Sequence, residues 1–426
     1  MLLLTLQTFA QDHFTYTPQN PKRGDVITIH YTPSGKLQGT AKPIEAAYYM
    51  FGYTPGSYKN LGADNITLKK EGKQYTGTLP TDTAAHFIYF GFSADQTYDN
   101  NGNKGYYILL EENGKVAPGA HMALGFYYQY DGPQVGLERD PEKALAALEK
   151  EMELYPSLKK EVLPHYIRLL PAVKKEAAPE LVQKEIESFL KDSLKTEEDY
   201  AALEAMYTAA KLSKQAKLVR EWMMQKYPDG KWAANEAAQA FFREKDVAKK
   251  EALLKEMEKG IGTKETWKHL KNNLDFYKLQ IPNAYATKKD WAGLRRAMQN
   301  LDVSQKELVS DSYNNIAWNM QGDSTELALA EELSRYATQH AKAELTKPSG
   351  KKPLHLTTSD WKRVREDNYA LYADTYAMIM YRMGQYKKGL AYAKEAALDL
   401  SKGKDAEQNN TYALLAEKAL PAKQLK

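Results

Sequence analysis

The sequence predicts two architectures in one chain, an antiparallel β-sandwich followed by an array of α-helical hairpins. Three observations carry this. The 426-residue chain holds 16 of its 25 glycines up to Gly136 and all six tryptophans after it. In the front part, runs rich in Val, Ile, Tyr, Phe and Thr recur about every 12 residues between turn residues, which is the rhythm of short strands. In the rear part Tyr-Pro returns at Tyr155-Pro156 and Tyr227-Pro228, 72 residues apart, which is two periods of a helical repeat of about 34–36 residues. The change of character falls at Gly132–Pro133. The expected division is a signal-peptide remnant over 1–10, a sandwich over 11–133 and a helical solenoid over 138–426.

The first ten residues are apolar apart from Thr5, Gln7 and Thr8, and Ala10 precedes polar Gln11-Asp12-His13. This is the pattern of the end of a secretory signal, with cleavage after Ala10 or Gln11. It predicts export to the periplasm or cell envelope. The positive start of such a signal is missing, so the beginning reads as clipped. No cysteine follows the apolar run, which excludes a lipoprotein signal. No later segment approaches the roughly 20 apolar residues of a membrane span.

The expected strands are Phe14–Thr17, Asp25–Tyr31, Glu45–Phe51, Asn65–Lys70, Gln74–Leu79, His86–Ser93 and Tyr106–Glu111. Ile27, Ile29 and Tyr31 share one face of the second; Ile88, Phe90 and Phe92 share one face of the sixth. Such alternation fits sheets buried on one side. Seven short strands in about 120 residues predict an immunoglobulin-like sandwich. Asp99–Gly105 spaces oxygen-bearing residues like a calcium loop. Its sixth position is Lys104 and its twelfth Leu110, where an EF-hand needs Gly and Glu. It reads as a long polar turn. Tyr48, Tyr49, Tyr53, Tyr58, Tyr106, Tyr107, Tyr127, Tyr128 and Tyr130 read as packing residues, with a sugar-stacking surface as the alternative.

Asp140-Pro141-Glu142 opens the helical part, with Asp140 as N-cap and Pro141 in the first turn. Ala144, Leu145, Leu148, Met152 and Tyr155 follow at helical spacing. The clearest repeat unit runs from Tyr376 to Leu398. Gly384 and Tyr386 match the turn between two helices, and Gly389, Ala393 and Ala396 allow close helix approach. These features predict tetratricopeptide-like hairpins, six or seven of them, stacked as a solenoid. Thr346–Thr358 breaks the pattern and reads as a long connection.

Charge is nearly balanced, with 59 basic and 55 acidic residues and a net charge of +4. That argues against nucleic acid as the main partner, and Lys249–Lys250 and Lys351–Lys352 read as solvated surface. The chain has no cysteine, which excludes disulfides, thiolate metal sites and cysteine redox chemistry within it. It carries no metalloprotease, P-loop, nucleophile-elbow or dinucleotide motif, and its eight histidines are scattered. The expectation is a non-enzyme with no catalytic, cofactor or metal residue, and the sequence assigns no partner-binding residue.

Several stretches carry a resemblance: Phe14–Tyr31 with Pro18, Pro21, Gly24 and Asp25, then Asp99–Tyr106, Asn113–Ala120 and Tyr313–Trp318. With them, the chain resembles the N-terminal region of exported thioredoxin-like (TlpA-like) proteins of Gram-negative envelopes. In those proteins, the resemblance implies, a sandwich and a helical array precede a C-terminal thioredoxin fold. That domain and its Cys-x-x-Cys are absent here, so no redox residue carries over. The ending Leu420–Lys426 reads as a boundary just after the last helix. The resemblance implies an accessory region that binds or positions a protein or peptide partner on its helical repeats. The alternative is a carbohydrate-binding protein using the tyrosines.

Overall fold

The computed structural model describes residues 13–54, 56–191 and 194–420. The apolar leader at 1–10, its cleavage position and the last six residues lie outside them. The chain divides into two compact units, Met1–Lys226 with Lys352–Ser359, and Tyr227–Lys351 with Asp360–Lys426.

The first unit opens with two antiparallel sheets. The strands are β1 (Phe14–Thr17), β2 (Val26–Tyr31), β3 (Glu45–Thr54), β4 (Ser57–Ile66), β5 (Lys69–Glu71), β6 (Gln74–Pro80), β7 (Ala85–Ala94), β8 (Thr97–Asp99) and β9 (Tyr106–Leu109), followed by the short pair β10 (Glu111–Glu112) and β11 (Lys115–Val116). One sheet runs β1-β2-β6-β5 and the other β4-β3-β7-β8, with β9 also on β7. Ile27, Ile29 and Tyr31 of β2 share a buried cluster with Ile88, Phe90 and Phe92 of β7. The period-2 faces read from the sequence therefore meet each other across the two sheets. Tyr31 stacks on Phe92 with ring centroids 3.7 Å apart.

The expected strand Asn65–Lys70 is corrected. β4 occupies Ser57–Ile66, and only Lys69–Glu71 continues beyond it. β4 pairs with β3 alone in its sheet order, and an edge strand tolerates Lys59, Asn60 and Asp64 that hide it from a search for apolar alternation.

The second face of β3 and β7 packs on helices. Tyr49, Phe51, Phe87 and Tyr89 join a cluster that runs through α1 (Ala120–Phe126), α2 (Pro141–Leu154), α3 (Lys159–Val173), α4 (Ala178–Lys191), α5 (Glu197–Ala209) and α6 (Ser213–Lys226). Helix therefore begins at Ala120, ahead of Gly132–Pro133. The stretch Ala120–Phe126 is apolar nearly all round because α1 is buried along most of its length. The Asp99–Gly105 turn also serves this junction. Asn100 Nδ2 donates to the Gly136 carbonyl at 2.9 Å, and the Glu138 amide donates to Asn103 Oδ1 at 2.7 Å. Asp140 caps α2 by accepting from the Lys143 amide at 3.0 Å. Both Tyr-Pro pairs follow directly on helix ends, α2 at Leu154 and α6 at Lys226.

The second unit is helical throughout its regular elements: α7 (Lys231–Arg243), α8 (Val247–Thr263), α9 (Leu274–Thr287), α10 (Trp291–Gln299), α11 (Lys306–Met320), α12 (Leu327–Thr346), α13 (Thr358–Arg382), α14 (Tyr386–Lys394) and α15 (Ala406–Ala419). The first two residues of α13 belong to the first unit. Sequence neighbours pack in pairs: α7 with α8, α9 with α10, α11 with α12, and α14 with α15. Gly389 shows why small residues stand at these crossings. A Cβ there would lie 3.0 Å from the Ala377 carbonyl oxygen and 2.9 Å from Leu415 Cδ2.

Two of the lysines read as solvated are not. Lys250 is 8% exposed; its ammonium donates to the Phe241 carbonyl at 2.6 Å and sits 4.4 Å from that residue's ring centroid. The end of α7 supplies an orphan carbonyl, and the aliphatic stem packs on the way. Lys352 is partly buried and donates to the Ala63 and Leu356 carbonyls.

The core of the second unit also holds a carboxylate. Asp374 is buried and its Oδ1 has no hydrogen-bond partner. Burial pushes its carboxyl up to about 6; Thr411 pulls it down, and Glu407 and Asp405 push it further up. A carboxyl raised on folding stabilises fully below its unfolded value, near 3.9, and that contribution is lost as pH rises through about 6. Asp374→Asn is therefore expected to gain about 1–3 kcal/mol over the parent at pH 8 and almost nothing at pH 4. Thermal melts of both chains across that range check it, and a difference independent of pH would refute it.

Candidate functional site

Two concave regions stand out in the second unit. The first is a small cleft of about 30 Å³ lined by α11, α12, α13 and the connection before α13. Glu307 and Ser310 come from α11, three residues apart. His340, Ala341 and Glu344 come from one side of α12. Trp361, Arg365, Asn368 and Tyr372 follow at steps of four, three and four along α13, which places them on one helix face. Gly350 and Lys351 close the mouth.

Several polar groups of this cleft are engaged. Tyr372 donates to Asp311 Oδ1 at 3.3 Å. Burial, and then Asp311, push its hydroxyl well above the usual range, so it remains a donor. Both carboxylate oxygens of Glu344 accept from the Ser349 amide at 3.0 Å, and Oε1 lies 3.6 Å from His340 Nε2. Two side chains are exceptions: His340, whose buried Nε2 has no hydrogen bond, and Arg365. The Arg365 guanidinium lies 3.9 Å from the centroid of the Trp361 ring, and Nε and Nη1 are out of contact with water and have no acceptor. A buried donor left unmade costs about 1–3 kcal/mol.

Ser310, His340 and Glu344 form a row with the residue types of a hydrolytic triad. Ser310 Oγ lies 2.9 Å from His340 Nδ1. The same hydroxyl donates to the Lys306 carbonyl at 2.9 Å, one helical turn back. Its single proton is thus spent on the helix, and Oγ accepts from His340. Ser310 is 1% exposed. The row braces α11 against α12, and the Ser310 proton is not placed for transfer to His340.

The second region is a groove of about 530 Å³ along α8, α9 and α10. Leu254, Ile281, Pro282 and Ala297 line its base, and Glu251, Lys255, Glu258, Lys278, Arg296 and Asp302 surround them. Lys278 donates to the Asp302 carbonyl at 2.9 Å and lies 3.7 Å from Glu258 Oε1. Tyr285 donates to Glu251 Oε1 at 2.9 Å. The rim thus carries both signs of charge, largely paired, around an apolar floor.

The nine tyrosines considered for sugar stacking do not form an outward platform. Tyr49, Tyr53, Tyr106, Tyr127 and Tyr128 are buried, Tyr48, Tyr58 and Tyr107 are half-buried, and Tyr130 alone of the nine is exposed. Tyr89, which that set omits, stacks against Tyr49 and Tyr127 in the same core. Among the described residues, no cluster of three or more His, Asp or Glu side chains could hold a metal ion, and no helix is long and apolar enough to cross a membrane. No protein-family model matches the chain, and no curated protein matches it either.

The sequence assigned no binding residue, so both regions are additions to it. The Trp361–Arg365 spacing was visible as an (i, i+4) pair. Nothing in the sequence linked it to Ser310 and His340, which arrive from helices 30 residues apart.

Proposed function

We propose that this chain is a partner-binding accessory region of an exported, envelope-located thioredoxin-like protein, and that its helical part positions a protein partner by one extended or helical segment. The groove along α8, α9 and α10 carries this reading. An apolar floor inside a ring of mixed charge suits a peptide segment, whose side chains enter the floor while its backbone stays near the polar rim. The strand orders β1-β2-β6-β5 and β4-β3-β7-β8 support an immunoglobulin-like type, since they follow the A-B-E-D and C-F-G pattern of that fold. The turn at Gly384 and the close approach at Gly389 support tetratricopeptide-like pairing. The thioredoxin-like assignment rests on the motifs quoted from the sequence and on this order of parts.

The test is photo-crosslinking with the whole chain in envelope extract. Benzoylphenylalanine at Lys255, on the groove, is expected to give a discrete adduct that the same group at Lys418 does not. Identical adduct patterns at both positions, or none at Lys255, would overturn the groove as the partner site.

A further inference from the structure

We propose that the cleft between α11, α12 and α13 binds a carboxylate, and that Arg365 holds it. Three observations converge. Trp361 covers one face of the Arg365 guanidinium at 3.9 Å, which fixes the plane of the group and leaves its N–H edges to make the polar contacts. Two of the three guanidinium nitrogens, Nε and Nη1, are buried and have no acceptor. No ion pair to Arg365 occurs among the described residues, while Glu344 is already occupied by Ser349 and faced by His340. Arg365 therefore brings buried, unpaired donors to this cleft, whereas Glu307 and Lys351, also without ion pairs among the described residues, are solvent-exposed.

The type of anion follows from the geometry and the surroundings. A guanidinium offers parallel N–H groups in a planar fork, which fits the two oxygens of a carboxylate. Asn368, three residues along the same face, brings a side-chain amide into the same space. Lys351 at the mouth adds a second positive charge, whereas Glu307 and Glu344 add two negative ones. That mixture disfavours a phosphate dianion and tolerates a single negative charge. The cleft offers about 30 Å³, room for about two water-sized groups, so it admits the carboxylate group itself while the rest of the ligand stays outside. The carboxylate can come from the end of a peptide chain or from an acidic side chain within one. This inference stands apart from the α8–α10 groove, and either can fail alone.

Saturation-transfer NMR on the full chain separates the outcomes. N-acetyl-alanine presents a terminal carboxylate, N-acetyl-glutamate with both ends blocked presents only a side-chain one, and N-acetyl-alanine amide presents none. At least one of the two acids is expected to bind, and the amide is not; whichever acid binds more tightly identifies the source. Arg365→Gln is expected to weaken that binding at least tenfold, and Arg365→Lys to weaken it nearly as much, because lysine keeps the charge but loses the fork. Circular dichroism of each variant establishes that it is folded. The comparison of acid with amide on the parent chain needs no variant. Equal signals from acid and amide, no signal from either acid, or undiminished binding by folded Arg365→Gln would each overturn the proposal.

Discussion

Asp99→Ala is expected to remove about 3–5 kcal/mol of stability from the first unit. Asp99 is 3% exposed, at the end of β8. Its Oδ2 accepts from the Tyr31 hydroxyl at 2.8 Å, the Ser34 amide at 2.9 Å, the Ser34 hydroxyl at 2.8 Å and the Tyr106 hydroxyl at 3.0 Å. Oδ1 accepts from the Asn101 amide at 3.0 Å. The donors come from β2, the loop after it, β9 and the polar turn itself, so one carboxylate collects segments from both sheets. Burial, reinforced by the bond to Asp99, pushes the Tyr31 hydroxyl far above its usual range and keeps it protonated as a donor. Alanine would leave all of these donors buried without an acceptor, and the loss exceeds that of one ordinary hydrogen bond for this reason. Asp99→Asn is expected to cost less, about 1–2 kcal/mol, because an amide oxygen at the Oδ2 position keeps four of the contacts and only the Asn101 amide meets a donor. Urea unfolding followed by near-ultraviolet circular dichroism of the buried tyrosines measures both. Equal losses for the two variants, or less than about 1 kcal/mol for Asp99→Ala, would refute the account.

The front part was legible in the sequence wherever a strand has at least one buried face. β1, β2 and β6 lie within a residue or so of their expected positions, as Ile27, Ile29 and Tyr31 impose a period of two on β2; β7, buried on both faces, was legible as an apolar and aromatic run from Phe87 to Phe92. β4 was misplaced because an edge strand need not alternate, and β8 was missed because three residues carry no period. The polar turn at Asp99–Gly105 was recognised as a turn. Its role was not, since the groups that Asp99 and Asn103 bind are brought to them by folding from as far as 68 residues away.

The same limit applies to the two concave regions. Helical spacing shows which residues share a face of one helix, so Trp361, Arg365, Asn368 and Tyr372 could be grouped. It does not show which face of another helix lies opposite. The lysines illustrate the point from the other side. Lys249 and Lys250 are adjacent and equally charged, yet helix α8 turns one outward and the other onto the carbonyl of Phe241. A run of charge is solvated only as far as the helix phase permits.

Glu151→Ala is expected to cost the first unit about 3–5 kcal/mol as well, through a cap supplied from a neighbouring helix. Glu151 projects from α2 and is fully buried. Its oxygens accept from the Gly119 amide at 2.7 Å and the Met122 amide at 3.0 Å. These are donors at the start of α1 that have no intrahelical acceptor. Gly119 stands at the N-cap with φ of +83°, and a Cβ there would fall 2.5 Å from Tyr53 Cγ. No side chain can therefore cap α1 from its own N-cap, and the acceptor must come from elsewhere. Burial pushes the Glu151 carboxyl up, while the amides of Gly119, Met122 and His121 pull it down without cancelling the rise. A carboxyl raised on folding contributes fully below its unfolded value, near 4.3, and loses that contribution as pH rises through its folded value. Glu151→Gln, which cannot ionise, keeps an oxygen for one amide and turns a donor toward the other. Its deficit against the parent is expected to be largest near pH 4 and to shrink as pH rises toward 7, whereas Asp374→Asn moves from no effect to a gain over the same range. Urea titrations of the two variants at matched pH measure this. A Glu151→Gln deficit that grows with pH would mean that the cap works as a charge rather than as a buried acceptor.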